Sequence, residues 1–197
     1  MKNQKLHKLT LLAVLGAWAL VFRYLNFPIL PAAPFLKIDF SDLIAFIGML
    51  IYGPHGLVVV AAIRDLGDYL VKGGEVGIPI GMIMSFTATI VMFLPSHWIL
   101  KAKEKINWRH HLVMSTTLIL ALTVSMALLN YYLALPLYIK VMNFPIEDIG
   151  GYVLSIILPF NFIKGVMLAC GQWLVLKSLQ PLIAKKQAYY LTSHKVL

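Results

Sequence analysis

The residues best suited to bind a polar ligand lie in the last long apolar stretch of the chain. Asn161 and Lys164 are three positions apart in the segment 158–165, so on a helix their side chains share one face. A lysine at the centre of a membrane-spanning helix costs about 2.5 to 3.5 kcal/mol on insertion scales, and a polar pocket open to one side of the membrane would offset that cost. The alternative is a structural lysine near a helix end that extends its ammonium to the lipid headgroups.

A second amide, Asn130, is followed by Tyr131 and Tyr132 near the end of another apolar stretch. An asparagine side chain in lipid needs hydrogen-bond partners, which a ligand or a neighbouring helix can supply. The two rings can form part of a ligand-binding wall or lie at the membrane interface. Both interpretations are open from the residues alone.

Charged residues interrupt the first and third apolar stretches. Arg64 and Asp68 are four positions apart, which predicts a salt bridge on one helix face. Together with Asp65 they could instead line a polar cavity, because intramembrane charges seldom face lipid. Arg23 lies near the end of the first stretch, and we expect its side chain to reach the membrane interface.

The sequence contains no signature of catalysis. A His-Glu-x-x-His zinc motif, a Gly-x-Ser-x-Gly nucleophile elbow and a Walker A phosphate loop are all absent. The single cysteine, Cys170, lies inside an apolar stretch, and the adjacent His110 and His111 lie in a basic loop. We therefore predict a protein that is not an enzyme, with no catalytic residue, no metal site and no cofactor.

The composition predicts an integral membrane protein. Of the 197 residues, 60% are hydrophobic and the mean hydropathy is +0.81, which leaves too little polar surface for an ordinary soluble domain. A helix that crosses a bilayer needs about 20 residues, so the chain accommodates five or six spans. The net charge of +9 comes from basic residues that cluster between the apolar stretches, which indicates membrane topology rather than nucleic-acid binding.

The apolar stretches favour six spans over five. The first is too long for a signal-peptide core, so we expect it to be retained. Most basic residues fall in segments on the side that would hold both termini, which places those termini in the cytosol. The predicted fold is an all-α integral membrane protein, a six-transmembrane-helix bundle with a cytosolic N-terminus at 1–8, one membrane domain at 9–177, a cytosolic tail at 178–197, and spans at 9–27, 43–52, 57–71, 76–100, 112–135 and one that ends near 176.

Three short features surround these spans. The segment 28–37 is apolar and contains three prolines, so it cannot form a regular helix; we expect a lid over the outer end of the bundle, or alternatively a re-entrant packing segment. Asp39 and Asp42 have the composition of an N-cap for the second span. Ala13 and Ala17 form a small-residue face on the first span, which allows close helix packing within the chain.

Four segments together resemble a known family: residues 34–42, 53–54, 129–131 and 159–165. The chain resembles the substrate-binding S component of energy-coupling factor (ECF) vitamin transporters, and most of all the riboflavin-type branch. The resemblance implies capture of a vitamin on the outer side of a bacterial cell membrane, beneath the lid at 28–37. It also implies partners, namely a transmembrane coupling subunit (T component), which Ala13 and Ala17 would contact, and two cytosolic ATPases (A components).

The resemblance also implies a substrate site. Asn130, Asn161 and Lys164 match the polar residues that contact the flavin in riboflavin-type members, and we add Tyr131, Leu36 and Asp39 to the site. The fourth span departs from the family pattern, because it reads Gly-Met-Ile-Met-Ser at 81–85 where a Gly-Glu-Leu-Ala-Asn-like run is usual. A smaller ring, such as pyridoxine or a hydroxymethylpyrimidine, is therefore an alternative ligand, and a ligand-free structural membrane subunit is an alternative of another class.

Overall fold

The computed structural model describes residues 2–31, 33, 36–74, 77–102 and 107–193, and within them the chain is nearly all helical. One short antiparallel pair, β1 (Phe27–Pro28) with β2 (Lys37–Ile38), joins the two ends of the proline-rich segment. The helices are α1 (Lys2–Tyr24), α2 (Ser41–Tyr52), α3 (Pro54–Lys72), α4 (Ile80–Ala102), α5 (Trp108–Leu129), α6 (Leu135–Met142), α7 (Ile149–Tyr152) and α8 (Leu158–Ser193).

Two π-helical segments join four of these helices into two longer, continuous ones. The segment π1 (Asn130–Ala134) joins α5 to α6, and π2 (Val153–Ile157) joins α7 to α8. In each, the backbone N–H that follows the segment donates to the carbonyl five residues earlier, which is the π-helical pattern. The helix that contains the predicted sixth span continues beyond 176, through α8 to Ser193.

A proline explains the place of each π segment. Pro136 and Pro159 follow π1 and π2 by two positions. A proline has no N–H to donate, and its ring clashes with the carbonyl four residues earlier, which for these two is the carbonyl of Tyr132 or Ser155. The wider π turn accommodates that carbonyl without ending the helix, so the helix that carries Lys164 begins at Ile149 rather than at Pro159.

Four of the helical runs are long and apolar enough to cross a membrane within the described residues: Lys5–Tyr24, Ile80–Lys101, Trp108–Met142 and Ile149–Leu179. These runs make the chain a multi-pass membrane protein. The apolar helix α2 is shorter, as the sequence predicted. The helix α3 is 19 residues long and carries the charged residues Arg64, Asp65, Asp68 and Lys72.

The helix α2 lies at the centre of the bundle and packs against α1, α3, α4 and α8. Its Phe46 stacks on Phe93 of α4 with ring centroids 4.8 Å apart. It approaches α3 closely, since a Cβ on Gly56 would collide with the carbonyl oxygen of Gly48. Small residues at such a crossing let two helices pack backbone against backbone.

The two aspartates at the start of α2 do not cap it as predicted. Phe40 occupies the N-cap and makes no side-chain cap hydrogen bond. Asp39 Oδ1 instead accepts a hydrogen bond from the backbone N–H of Ser41 at 2.9 Å. Asp42 points into the bundle, where Arg64 of α3 binds it. The prediction that Asp42 caps α2 is therefore wrong.

Candidate functional site

A cavity of about 450 Å³ lies at one end of the bundle, which we call the cavity end. Here α1, α3 and α6 end, and α4 and the run of α7 and α8 begin. The volume falls in the range of about 300 to 1,000 Å³ that is typical of small-molecule sites. Its wall is partly apolar, with Leu36, Met84, Ala88, Met126, Ala134, Leu135, Tyr138, Met142, Phe144 and Phe160. Its polar lining consists of Arg23, Asn26, Lys37, Asp39, Asp68, Lys72, Ser85, Asn130, Asn161 and Lys164.

The cavity brings together five of the six residues that the sequence assigned to the substrate site: Leu36, Asp39, Asn130, Asn161 and Lys164. Tyr131 is not among the lining residues. Its side chain is 44% exposed and its ring packs edge-on against Tyr132, with centroids 4.8 Å apart. The turn of π1 therefore directs Asn130 inward and Tyr131 outward.

The two asparagines present their amides in the same way. Asn130 Nδ2 donates to the carbonyl of Met126 at 2.8 Å, and Asn161 Nδ2 donates to the carbonyl of Ile157 at 2.9 Å. A carbonyl can only accept, so in both amides the nitrogen must face the backbone. Each side-chain oxygen is thereby available as an acceptor for a ligand.

Lys164 contributes the donor of the site. Its ammonium lies 3.4 Å from Asp42 Oδ2, and its side chain is 15% exposed. An ammonium carries three N–H donors, so one ion-pair partner leaves donors for a ligand. The carboxylate of Asp42 also accounts for how a lysine is tolerated this far inside the bundle, because a buried charge needs a partner.

Arg64 lies fully buried at the centre of a charged cluster. It donates to Asp42 Oδ1 at 2.6 Å and makes a two-point contact with Asp65, at 3.0 and 2.9 Å. The hydroxyls of Ser85 and Thr89 accept from its Nη2 at 3.1 and 2.8 Å. Of these partners, Asp42 lies on α2, Ser85 and Thr89 lie on α4, and Asp65 follows Arg64 on α3.

The predicted Arg64–Asp68 salt bridge is wrong, because the two side chains take different partners. Asp68 pairs with Arg23 Nε at 2.8 Å and with Lys72 Nζ at 2.6 Å. The expectation that Arg23 reaches the membrane interface is also wrong. Its guanidinium turns into the bundle, 3.1 Å from Asp65 Oδ1 and 2.7 Å from the hydroxyl of Ser85.

These groups form a charge-balanced cluster, of which part lines the cavity and part is buried behind its wall. Ser41 links two parts of it, since its hydroxyl donates to Asp39 and accepts from Arg64. A balance of charge is what a low-dielectric interior requires, because unpaired ions there are costly. Four cations face four carboxylates: Arg23, Arg64, Lys72 and Lys164 against Asp39, Asp42, Asp65 and Asp68.

Ala13 and Ala17 do not pack within the chain. Both are exposed on α1, on the same side as the exposed Val14 and Trp18. The buried side of α1 contains Gly16, which lies against Ile63 of α3. The small-residue face of α1 is therefore free for another molecule, whether lipid or protein.

The comparisons with known proteins agree on one family. The family model described as "ECF transporter, substrate-specific component" matches residues 7–170. The chain belongs to this family. It is similar to the riboflavin transporter FmnP of Bacillus subtilis (strain 168), with 35% identity over 191 residues that cover 95% of this chain and 99% of the relative. It is similar to the riboflavin transporter RibU of Streptococcus thermophilus, with 33% identity over 183 residues that cover 90% and 85%.

A solved structure gives the same result for this substrate-specific component. The work titled "Structure and mechanism of the S component of a bacterial ECF transporter" contains a chain that superposes with a TM-score of 0.74 at 26% identity, covering 93% of this chain and 99% of that one. The predicted family is thus confirmed. The relatives are named as transporters rather than enzymes.

Several residues of this substrate-specific component were missed by the sequence reasoning. Asp42 was expected to cap a helix, and Ser85 and Thr89 drew no interpretation, yet all three bind Arg64. A count of charges could have pointed to Asp42. The spans hold more basic than acidic groups unless an aspartate at the start of α2 faces inward.

Proposed function

We propose that this chain is the substrate-binding S component of a riboflavin uptake transporter. It captures the flavin in the cavity from the outer side of a bacterial cell membrane and delivers it through a coupling module. The observation that carries this proposal is the convergence of Asn130, Asn161 and Lys164 on one cavity of about 450 Å³. The curated relatives named as riboflavin transporters, at 26 to 35% identity, support the choice of ligand.

The chemistry of the cavity suits an isoalloxazine ring. The ring is flat and offers carbonyls and ring nitrogens along one edge, which are acceptors for the ammonium of Lys164. Its N–H is a donor for an asparagine oxygen of Asn130 or Asn161. Its faces suit the apolar walls, to which Leu36 and Phe160 contribute. Apolar walls with polar groups at defined positions are typical of sites that orient a small molecule.

We further propose six membrane crossings with the cavity end outside. The crossings are α1, α2, α3, α4, the run of α5 and α6, and the run of α7 and α8, in one membrane domain at 9–177. The segments 1–8 and 178–197 are then cytosolic. The distribution of charge supports this orientation. Lys101, Lys103, Lys105 and Arg109 lie at the end of α4, in the connection to α5 or at the start of α5, whereas the connections at the cavity end contain a single basic residue, Lys37.

The segment 28–37 is proposed as the lid of the cavity. Pairing of β1 with β2 holds its two ends together. Leu36 lines the cavity and packs against an apolar cluster that includes Leu135 and Ile157. Residues 32, 34 and 35 lie outside the described residues, so the proposal rests on the two ends of the segment.

Partners complete the proposed transporter. A T component docks on the exposed face of Ala13 and Ala17, where small side chains permit close helix approach. Two A components in the cytosol supply ATP hydrolysis, for which this sequence has no phosphate-binding loop. This chain then contributes ligand recognition alone.

Binding to the purified chain tests the proposal. Riboflavin, pyridoxine and a hydroxymethylpyrimidine are titrated against it in detergent by calorimetry. We expect riboflavin to bind and the two smaller rings to bind more weakly, since they would leave part of the cavity unfilled. Lys164→Met should weaken riboflavin binding about 10- to 150-fold, because a hydrogen bond from a charged group contributes about 1.5 to 3 kcal/mol.

The control is Ser96→Ala. It removes a buried hydroxyl that accepts a hydrogen bond from Gln172 Nε2 at 2.9 Å, and neither residue lines the cavity. Its affinity for riboflavin should equal that of the wild type. A folded protein that binds none of the three compounds would contradict the proposal and favour a ligand-free structural subunit. Tight binding of pyridoxine or the pyrimidine with no riboflavin binding would keep the transporter class and replace the ligand.

A further inference from the structure

We propose that Asp42 is a positioning residue for ligand binding. Asp42 holds the ammonium of Lys164 in its binding orientation, and Arg64 holds Asp42 in place. This inference rests on the proposed function, because it concerns how the same cavity binds its ligand. Asp42 itself is 3% exposed and is not among the residues that line the cavity. Any effect of Asp42 on the ligand must therefore pass through a neighbour.

The two oxygens of Asp42 face opposite sides. Oδ1 accepts from Arg64 Nη1 and from the hydroxyl of Thr89, both at 2.6 Å. Oδ2 lies 3.4 Å from Lys164 Nζ. The carboxylate thus has a tightly bound side on α3 and α4 and a more loosely paired side on α8. Such an arrangement keeps the carboxylate fixed while the ammonium can still tilt towards a ligand.

No other carboxylate in the described part of the chain forms an ion pair with Lys164. Asp65 and Asp68 are engaged by arginines and by Lys72. Asp39 lines the cavity, but its Oδ1 is bound by Ser41. Among the described residues, Asp42 is therefore the anion that fixes the position of the Lys164 ammonium.

The benefit of this contact is pre-organisation. A free lysine side chain has several rotatable bonds, and ordering it costs up to about 2 kcal/mol of rotamer entropy. When Asp42 holds the ammonium before the ligand arrives, binding no longer carries that cost. The buried Arg64, which cannot lose its proton in a protein, keeps the carboxylate in place.

A double-mutant cycle on the full chain tests this role. Riboflavin affinity is measured by fluorescence quenching for the wild type, Asp42→Asn, Lys164→Met and the variant with both changes. We expect Asp42→Asn to weaken binding by about 5- to 25-fold, the factor that corresponds to ordering the lysine. The combined variant should bind no more weakly than Lys164→Met alone, because Asp42 acts through that lysine. Losses that multiply would overturn the inference, since they would show that Asp42 acts on its own.

Two further variants separate positioning from a general effect on stability. Asp42→Glu should recover part of the affinity that Asp42→Asn loses. Thr89→Val removes the hydroxyl that donates to Asp42 and accepts from Arg64, without a change of charge. It should weaken riboflavin binding by about three- to tenfold, the effect of one hydrogen bond lost at the carboxylate. The matched control is Ser96→Ala, which also removes a buried hydroxyl but should leave affinity unchanged.

The outcomes distinguish failure of the positioning role of Asp42 from failure of the proposed function. If Asp42→Asn does not fold, as judged by gel filtration and thermal unfolding in the same detergent, Thr89→Val decides, and unchanged affinity of that variant overturns the positioning role. If the wild type itself binds no riboflavin, the proposed function fails and this inference fails with it. Wild-type binding with independent, multiplying losses refutes the positioning role alone.

Discussion

Replacement of Arg64 by methionine should destabilise the protein strongly. The change removes the guanidinium that pairs with Asp42 at 2.6 Å and with Asp65 at 2.9 Å. Removal of one partner from a buried ion pair costs about 3 to 5 kcal/mol, because the other charge stays buried and uncompensated. Here the lower end applies, since Lys164 stays beside Asp42 and Arg23 lies 3.1 Å from Asp65.

The expected shift in melting temperature follows from that cost. A chain of 150 to 250 residues loses about 2 to 4 °C per kcal/mol, so a loss of about 3 kcal/mol corresponds to about 6 to 12 °C. Thermal unfolding of the purified protein in detergent measures it. The matched control is Arg109→Met at an exposed arginine, which should change stability by less than about 0.5 kcal/mol.

A combined variant tests whether charge imbalance is the cause. Arg64→Met together with Asp65→Asn removes one cation and one carboxylate, so that three cations again face three carboxylates, with Asp42 beside Lys164 and Asp68 beside Arg23. We expect this variant to melt above Arg64→Met. A shift below about 2 °C for Arg64→Met, or no recovery in the combined variant, would refute the view that the cluster is held by its charge balance.

Two further predictions concern helix contacts. Ala13→Trp with Ala17→Trp should abolish vitamin uptake and co-purification with the T and A components while riboflavin binding by the isolated chain is unchanged; loss of binding would show that this face serves the fold instead. Gly56→Val should destabilise the protein by about 1 to 3 kcal/mol through overpacking, because a Cβ there meets the carbonyl of Gly48; thermal unfolding measures it, and an unchanged melting temperature would contradict a close crossing of α2 and α3.

Local spacing in the sequence was sufficient to predict that two residues of the candidate site lie together. Asn161 and Lys164 share a face because both lie on one helix, and the cavity contains both. Asn130 stood out as an amide in an apolar stretch, but its placement in one site with Leu36 followed the resemblance. Nothing in the local sequence shows that α5 and the proline-rich segment meet at the same end of the bundle.

The charge partners could not be read from spacing. Arg64 had a candidate partner four positions away in Asp68, but it binds Asp42 from 22 positions away. Arg23 similarly binds Asp68 from 45 positions away. Sequence spacing reveals neighbours on the same helix, whereas these pairs depend on which helices pack together. Tyr131 differs for another reason, because π1 changes which residues of that turn face inward.

The two π segments also bear on how the chain tolerates a change of length. A π turn contains one residue more than the α-helical turn that it replaces. Deletion of a single residue from π2 would therefore restore an α-helical turn without rotating the start of α8, and Asn161 and Lys164 would keep their direction. The same deletion would bring the ring of Pro159 against a backbone carbonyl of the preceding turn. The extra residue at 153–157 thus lets an apolar helix hold a proline while the polar residues beyond it stay in place.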